Sequence, residues 1–418
     1  MQNQSEGFSV TIMIKLLLLL TLSSATLAAL DEVFAWKEIS FAWPSDEAKE
    51  NAVKSGDYVP ENNLPLGLGR WKDKLFVTVP RWKSGVAASL NYISLSSANK
   101  TSPLTPYPSW KANTLPKGEE KPSDDLIVST FRVKVDPCDR LWVMDTGLAD
   151  IFGEGKQVSP QAIVVFDLKT DKLIRRYNLK HTDFKEESFF ANIVVDVDPE
   201  KCDEAFAYIP DLGAYSVVVY SWAANDSWRV KHNFFHFDPL KGDFNVGGVN
   251  FQWTDGVFGL ALGPPQDNGF RTMYFHPLAS TREFSVSTQV LKNKTLATDP
   301  HNYYMFKIEG NRGDQTQASA SDFDEKSNVL FLTQLNRDGV ACWNPKKPLN
   351  SMNLALVAQD KEALIFTNDI KVDAERNLWI LSDRMPTFLY RKLDPSQINY
   401  RIFKANIDEL IKNTACSV

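Results

Sequence analysis

Hydrophobic and polar positions alternate at residues 131–136. In FRVKVDPCDRLWVMDTG (131–147), Phe131, Val133 and Val135 share one parity, and Arg132, Lys134 and Asp136 share the other. A period of two predicts a strand with one buried face. Asp136-Pro137 predicts a turn, because proline presets φ for a turn position and cannot serve a central strand. Leu141-Trp142-Val143-Met144 then runs apolar on both faces, as a buried return strand does.

The pattern recurs. FFANIVVDVDPEKCDEAFAYIPD (189–211), VFGLALGPPQDNGFRTMYFHPLA (257–279), ASASDFDEKSNVLFLTQL (318–335) and NDIKVDAERNLWILSDR (368–384) repeat strand, turn and return strand. LGLGRWKDKLFVTVPRW (66–82) is a weaker first copy. Six β-rich units with starts at Leu66, Phe131, Phe189, Val257, Ala318 and Asn368 predict an all-β, six-bladed β-propeller with four-stranded blades around a central channel. Segments 162–179, 215–235, 281–293 and 386–395 read as outer strands or hairpins. Residues 33–43, VFAWKEISFAW, read as a strand that closes the last blade and removes an exposed sheet edge. Residues 44–63 predict a short helix or loop, 99–125 with five prolines a long surface loop, and 405–412 a short helix.

Length alone favours two or three domains at 418 residues, but a closed six-unit ring accounts for residues 30–418 as one. Hydrophobic residues at 43% and charged residues at 23% exclude a disordered chain. Eleven Trp and 26 Phe suit the wedges between blades. The net charge is −6 and no run of Lys or Arg occurs, which argues against a nucleic-acid partner.

The N-terminus changes the setting. Met13-Ile14-Lys15, the apolar run Leu16 to Leu22 and small residues up to Ala29 form a secretory signal over 1–29, with Met13 a candidate true start. The run is shorter than the roughly 20 residues a bilayer requires, and no second run reaches that length, so an extracellular protein without a membrane span is expected. Four cysteines fit an oxidising compartment. Cys138 and Cys202 occupy the same turn in adjacent repeats, which pairs them and leaves Cys342 with Cys416. A metal site is the alternative, unsupported by any Cys-x-x-Cys or His cluster. Sequons at Asn99, Asn225 and Asn293 are candidate glycan sites.

The segment 131–147, its Cys-containing partner turn, Tyr208-Ile209-Pro210-Asp211 and NDIKVDAERNLWILSDRMP (368–386) resemble the insect Yellow/major royal jelly protein family, over roughly residues 33–416. The resemblance implies a secreted six-bladed propeller. Family members act in cuticle pigmentation, convert dopachrome, bind biogenic amines or serve as nutrients. Fold alone does not choose among these.

Chemistry-bearing motifs are few. HExxH, GxSxG and Walker A sequences are missing, and no cofactor or metal motif is present. His232 and His236 share a face, but two surface histidines are the simpler reading. The repeated Asp145, Asp211 and Asp383 read as a hydrogen-bonding device of the repeat rather than as acid–base groups. Polar residues where the inner strands begin are more informative, because they ring one channel mouth, with the Asp-Pro turns at the other. Phe190, Asn192, Asp255 and Asn368 there predict a site for a small aromatic amine or quinone: a carboxylate and amides for polar groups, a ring for stacking. The plainer alternative is that they bond one another and ordered water. No catalytic residue is fixed by motif. If dopachrome is converted, Asp255 is the candidate base. The rival expectations are an amine-binding protein without turnover and a structural cuticle-associated protein.

Overall fold

The computed structural model describes residues 30–97 and 99–417. The expected signal segment and the Met13 start lie outside the described residues.

Six four-stranded antiparallel sheets form a closed ring. Their innermost strands are Leu68–Trp71, Thr130–Val135, Val194–Asp196, Val257–Leu262, Ser321–Asp324 and Thr367–Val372. Each touches the next around the ring, and the last touches the first. We number the blades 1 to 6 in that order. Blades 1 to 5 run outward in chain order. Blade 6 takes its outermost strand from the chain start: Asp31–Trp36 pairs antiparallel with Tyr400–Asn406. The N-terminal strand therefore closes the ring as its sequence predicted.

The repeat's chemistry explains its turns. Trp142 Nε1 donates to Asp136 at 2.7 Å, and Trp379 Nε1 donates to Asp373 at 2.7 Å. Both pairs span six residues, so an aspartate at the turn anchors the return strand's aromatic. The closing aspartates act at the opposite ends of those strands. Asp145 accepts from the backbone N–H groups of Val128, Ser129 and Gly147, and Asp211 from those of Phe189 and Ala214. Burial pushes the Asp145 carboxyl up, against the pull of those donors. Each ties the chain entering a blade to its second strand. Gly67 shows how tightly blades meet: a Cβ there would stand 2.2 Å from the Phe131 carbonyl oxygen.

Cys138 and Cys202 are bonded, joining the equivalent turns of blades 2 and 3, and Cys342 is bonded to Cys416. Asn99, Asn225 and Asn293 are all exposed. Two expected outer strands differ. In 281–293 the strand Arg282–Ser287 stops because Ser287 caps a helix, Thr288–Lys292, accepting from Gln289 N–H. Segment 386–395 begins within a helix, Met385–Tyr390, with Pro386 in its first turn, where its missing N–H has no partner to lose. The long 44–63 stretch contains a helix, Asp46–Ser55, capped by Ser45 and Gly56.

Candidate functional site

A cavity of about 400 Å³ opens at the mouth where the inner strands begin. A six-residue strand at roughly 3.3 Å per residue separates this mouth from the Asp-Pro turn and its disulfide. The walls are aromatic. Phe131 enters from blade 2, with Trp82 at 4.7 Å between ring centroids and Phe189 at 4.9 Å. Phe152 stacks on Trp82 at 4.9 Å with ring planes 3° apart. Trp253, Phe258, Phe366 and Tyr390 line the other side. Trp253 Nε1 donates to the Tyr390 hydroxyl at 2.6 Å, linking the blade 3–4 connection to the blade 6 helix across the rim.

Beneath this cup, Arg132 is fully buried. Its guanidinium donates to the carbonyls of Ser319 and Asn368 and lies over the Phe258 ring. Asn368 Nδ2 donates to Asp383 at 2.6 Å, and burial pushes the Asp383 carboxyl well above the ordinary carboxylate range. Ser319 Oγ donates to the backbone of residues 367–368. The Asn368 amide, the Ser319 hydroxyl and the terminal guanidinium nitrogens of Arg132 are thus already engaged, and the carbonyls of Ser319 and Asn368 are the floor's acceptors.

Asp255 stands apart. It lines the cavity, yet no other described residue donates a hydrogen bond or an ion pair to its carboxylate. Desolvation pushes its pKa up to about 6. Among the described residues, no Lys or Arg lines the cavity. An unpaired carboxylate amid aromatic faces is a receptor for a cation carried on an apolar, preferably aromatic, body.

The family model described as Major royal jelly protein matches residues 128–416. The chain is 42% identical to Protein yellow of Drosophila subobscura over 100% of its own length and 73% of that protein's. It is equally identical to Protein yellow of Drosophila melanogaster, covering 96% of this chain and 74% of that one. The chain belongs to the Yellow/major royal jelly protein family. Among solved structures, an aldose sugar dehydrogenase from Streptomyces coelicolor aligns with 90% of this Yellow-family chain and 98% of its own, at 11% identity and a TM-score of 0.48.

Of the four mouth residues expected from the sequence of this Yellow-family chain, Asp255 and Asn368 line the cavity. Phe190 does not. Its side chain is buried among Trp142, Ile163 and Tyr220, between blades 2 and 3, and its neighbour Phe189 faces the cavity instead. Successive side chains in extended backbone point to opposite faces, so a one-residue difference exchanges wall for core. Asn192 is also corrected: its Nδ2 donates to the Phe258 carbonyl at 2.9 Å and its Oδ1 accepts from Ile193 N–H, so it braces the channel below. The histidine pair is structural at His232, whose Nδ1 accepts from Phe234 N–H while Nε2 meets the Tyr303 carbonyl. Sequence reasoning missed Trp82, Phe152, Trp253 and Tyr390. Phe152 and Trp253 sit in connections without periodicity, Trp82 follows the end of the first repeat's return strand and Tyr390 ends a helix in a segment expected as strand, so the excess of aromatic residues was the signal for them.

Proposed function

We propose that this Yellow-family chain is an exported protein that binds a cationic aromatic amine of the catechol or indole class, in the pigment chemistry that the family resemblance implies. The observation that carries this reading is Asp255: a carboxylate without a side-chain partner among the described residues, inside an aromatic cup. An ammonium group pairs with it, the ring of the guest packs between Trp82, Phe189 and Phe258, and phenol O–H or indole N–H donors meet the acceptors of Ser319 and Asn368. A carboxylated parent amino acid is disfavoured, because the lining holds no cation for its carboxylate and Asp255 repels it. Export is supported by the signal-like N-terminal sequence and the two disulfides.

Titration calorimetry with dopamine, serotonin and tyramine against DOPA and tryptophan tests the reading. Amine binding that disappears in Asp255→Asn is expected. Equal affinity for amines and amino acids, or no heat with any amine, sinks it.

One observation favours a second reading, conversion of dopachrome. A carboxylate with a pKa of about 6 is tuned to take a carbon-bound proton near neutral pH. Loss of dopachrome absorbance with purified protein, and its absence with Asp255→Asn, is the outcome that reading requires.

A further inference from the structure

A second concavity lies beside blade 3, with Pro300 and Tyr303 of blade 4 on its lining. It is an open groove of about 1100 Å³, separated from the aromatic cavity by Gly213, which lines both. Lys185 and Lys231 stand on its walls, exposed and without an ion pair to any described residue. Arg229 forms part of the wall and is 6% exposed. It bonds Asp211 and the carbonyls of Asp183 and Ala214, but its Nε has no partner among the described residues. Glu187 is the one acidic side chain among the described residues of the lining. Tyr215, Phe234, Tyr303 and two histidines make up much of the remaining surface. Tyr303 is 68% exposed at one side, and Tyr215 packs its ring 4.5 Å from that of His236 at the other.

Two exposed lysines without ion pairs in one groove attract an anion, while Arg229 behind them is engaged by Asp211. Flat, exposed aromatic faces beside those cations match the C–H faces of a pyranose ring. We propose that it binds an acidic saccharide, with a sulfate or uronate group held by Lys185 and Lys231 and a sugar face against Tyr215 or Tyr303. The groove is a site separate from the amine cavity, so the two proposals stand or fall independently.

The test is calorimetric binding of a sulfated tetrasaccharide, a uronate-bearing unsulfated tetrasaccharide, a neutral tetrasaccharide and inorganic sulfate to the full chain. Binding of the sulfated or the uronate oligosaccharide, with no binding of the neutral one, is expected, and whichever binds identifies the anion. The double variant Lys185→Ala/Lys231→Ala weakens it about tenfold or more. Lys326→Ala, on the exposed turn of blade 5, leaves it unchanged. Circular dichroism and an unchanged melting temperature show that the double variant is folded. Equal binding of the neutral oligosaccharide, unchanged affinity in the double variant, or inorganic sulfate binding as tightly as the oligosaccharide overturns the proposal.

Discussion

The guanidinium carbon of Arg132 lies 4.0 Å from the centroid of the Phe258 ring. One residue comes from blade 2 and the other from blade 4, and their contact seals the cavity floor. Arg132 also reaches blades 5 and 6 through the Ser319 and Asn368 carbonyls and stands 3.5 Å from Asp369. A single side chain therefore ties four blades together across the axis.

Arg132→Ala is expected to destabilise the fold by about 3–5 kcal/mol, the usual consequence of removing one member of a buried charged network. The Ser319 carbonyl loses its donor, the Asn368 carbonyl keeps only the Ser319 hydroxyl, and a void opens under Phe258. Urea unfolding measures it, as a lower midpoint with an unchanged slope. A midpoint within error of the parent's disproves the bracing role.

Phe189 and Phe190 separate wall from core. Phe189→Ala removes a ring from the cavity and is expected to weaken amine binding by about 1–2 kcal/mol, or roughly tenfold. Phe190→Ala empties a fully packed site between blades 2 and 3 and is expected to lower stability by about 3–5 kcal/mol. Its effect on affinity, measured well below the melting temperature, is small. The reverse pattern in calorimetry and unfolding returns Phe190 to the site.

That pair also marks where the sequence stops being legible. Period-two alternation marked the inner strand at 131–136, and recurrence of strand, turn and return strand marked the others, and with them the ring and the mouth. Blade 3 breaks the rule locally. Its inner strand begins only at Val194, and the segment before it holds a single bridge, Phe190 to Asp211, so parity counted back from the strand is lost. Phe152 and Trp253 were invisible for a related reason: connections carry no period, and the ring's closure alone brings them together. Asp255 was legible because it is a polar residue standing just before an apolar strand.

The Cys138–Cys202 bond closes a loop of 64 residues between adjacent blades. Constraining such a loop in the unfolded chain contributes about 4 kcal/mol in the chain-entropy description. Cys138→Ser/Cys202→Ser is expected to lose that much stability while retaining amine affinity, since the bond lies at the mouth opposite the cavity. Concerted loss of affinity and stability at a temperature where the variant is folded contradicts the separation of the two mouths.

Asp255 links function to stability. Its folded pKa, about 6, lies above that of an unfolded aspartate, so the folded state holds the extra proton between about pH 4 and 6. The stability this group contributes is therefore present below that window and is lost as pH rises through 6. Each tenfold difference in proton affinity between the folded and unfolded chain corresponds to about 1.4 kcal/mol, so the loss is about 3 kcal/mol at most, and less where cavity water solvates the carboxylate. Asp255→Asn is expected to gain up to that amount at pH 7.5 and nothing at pH 4, in thermal or urea unfolding at both values. Amine affinity runs the opposite way, because only the ionised carboxylate pairs with an ammonium: from pH 7.5 to 5 the parent loses about tenfold in affinity. Burial of Asp255 alone produces the stability slope, so the affinity slope is the one that a cavity without a cation guest lacks. A cavity built to receive a cation gives both, because the charge left unpaired in the empty protein is the one the guest neutralises.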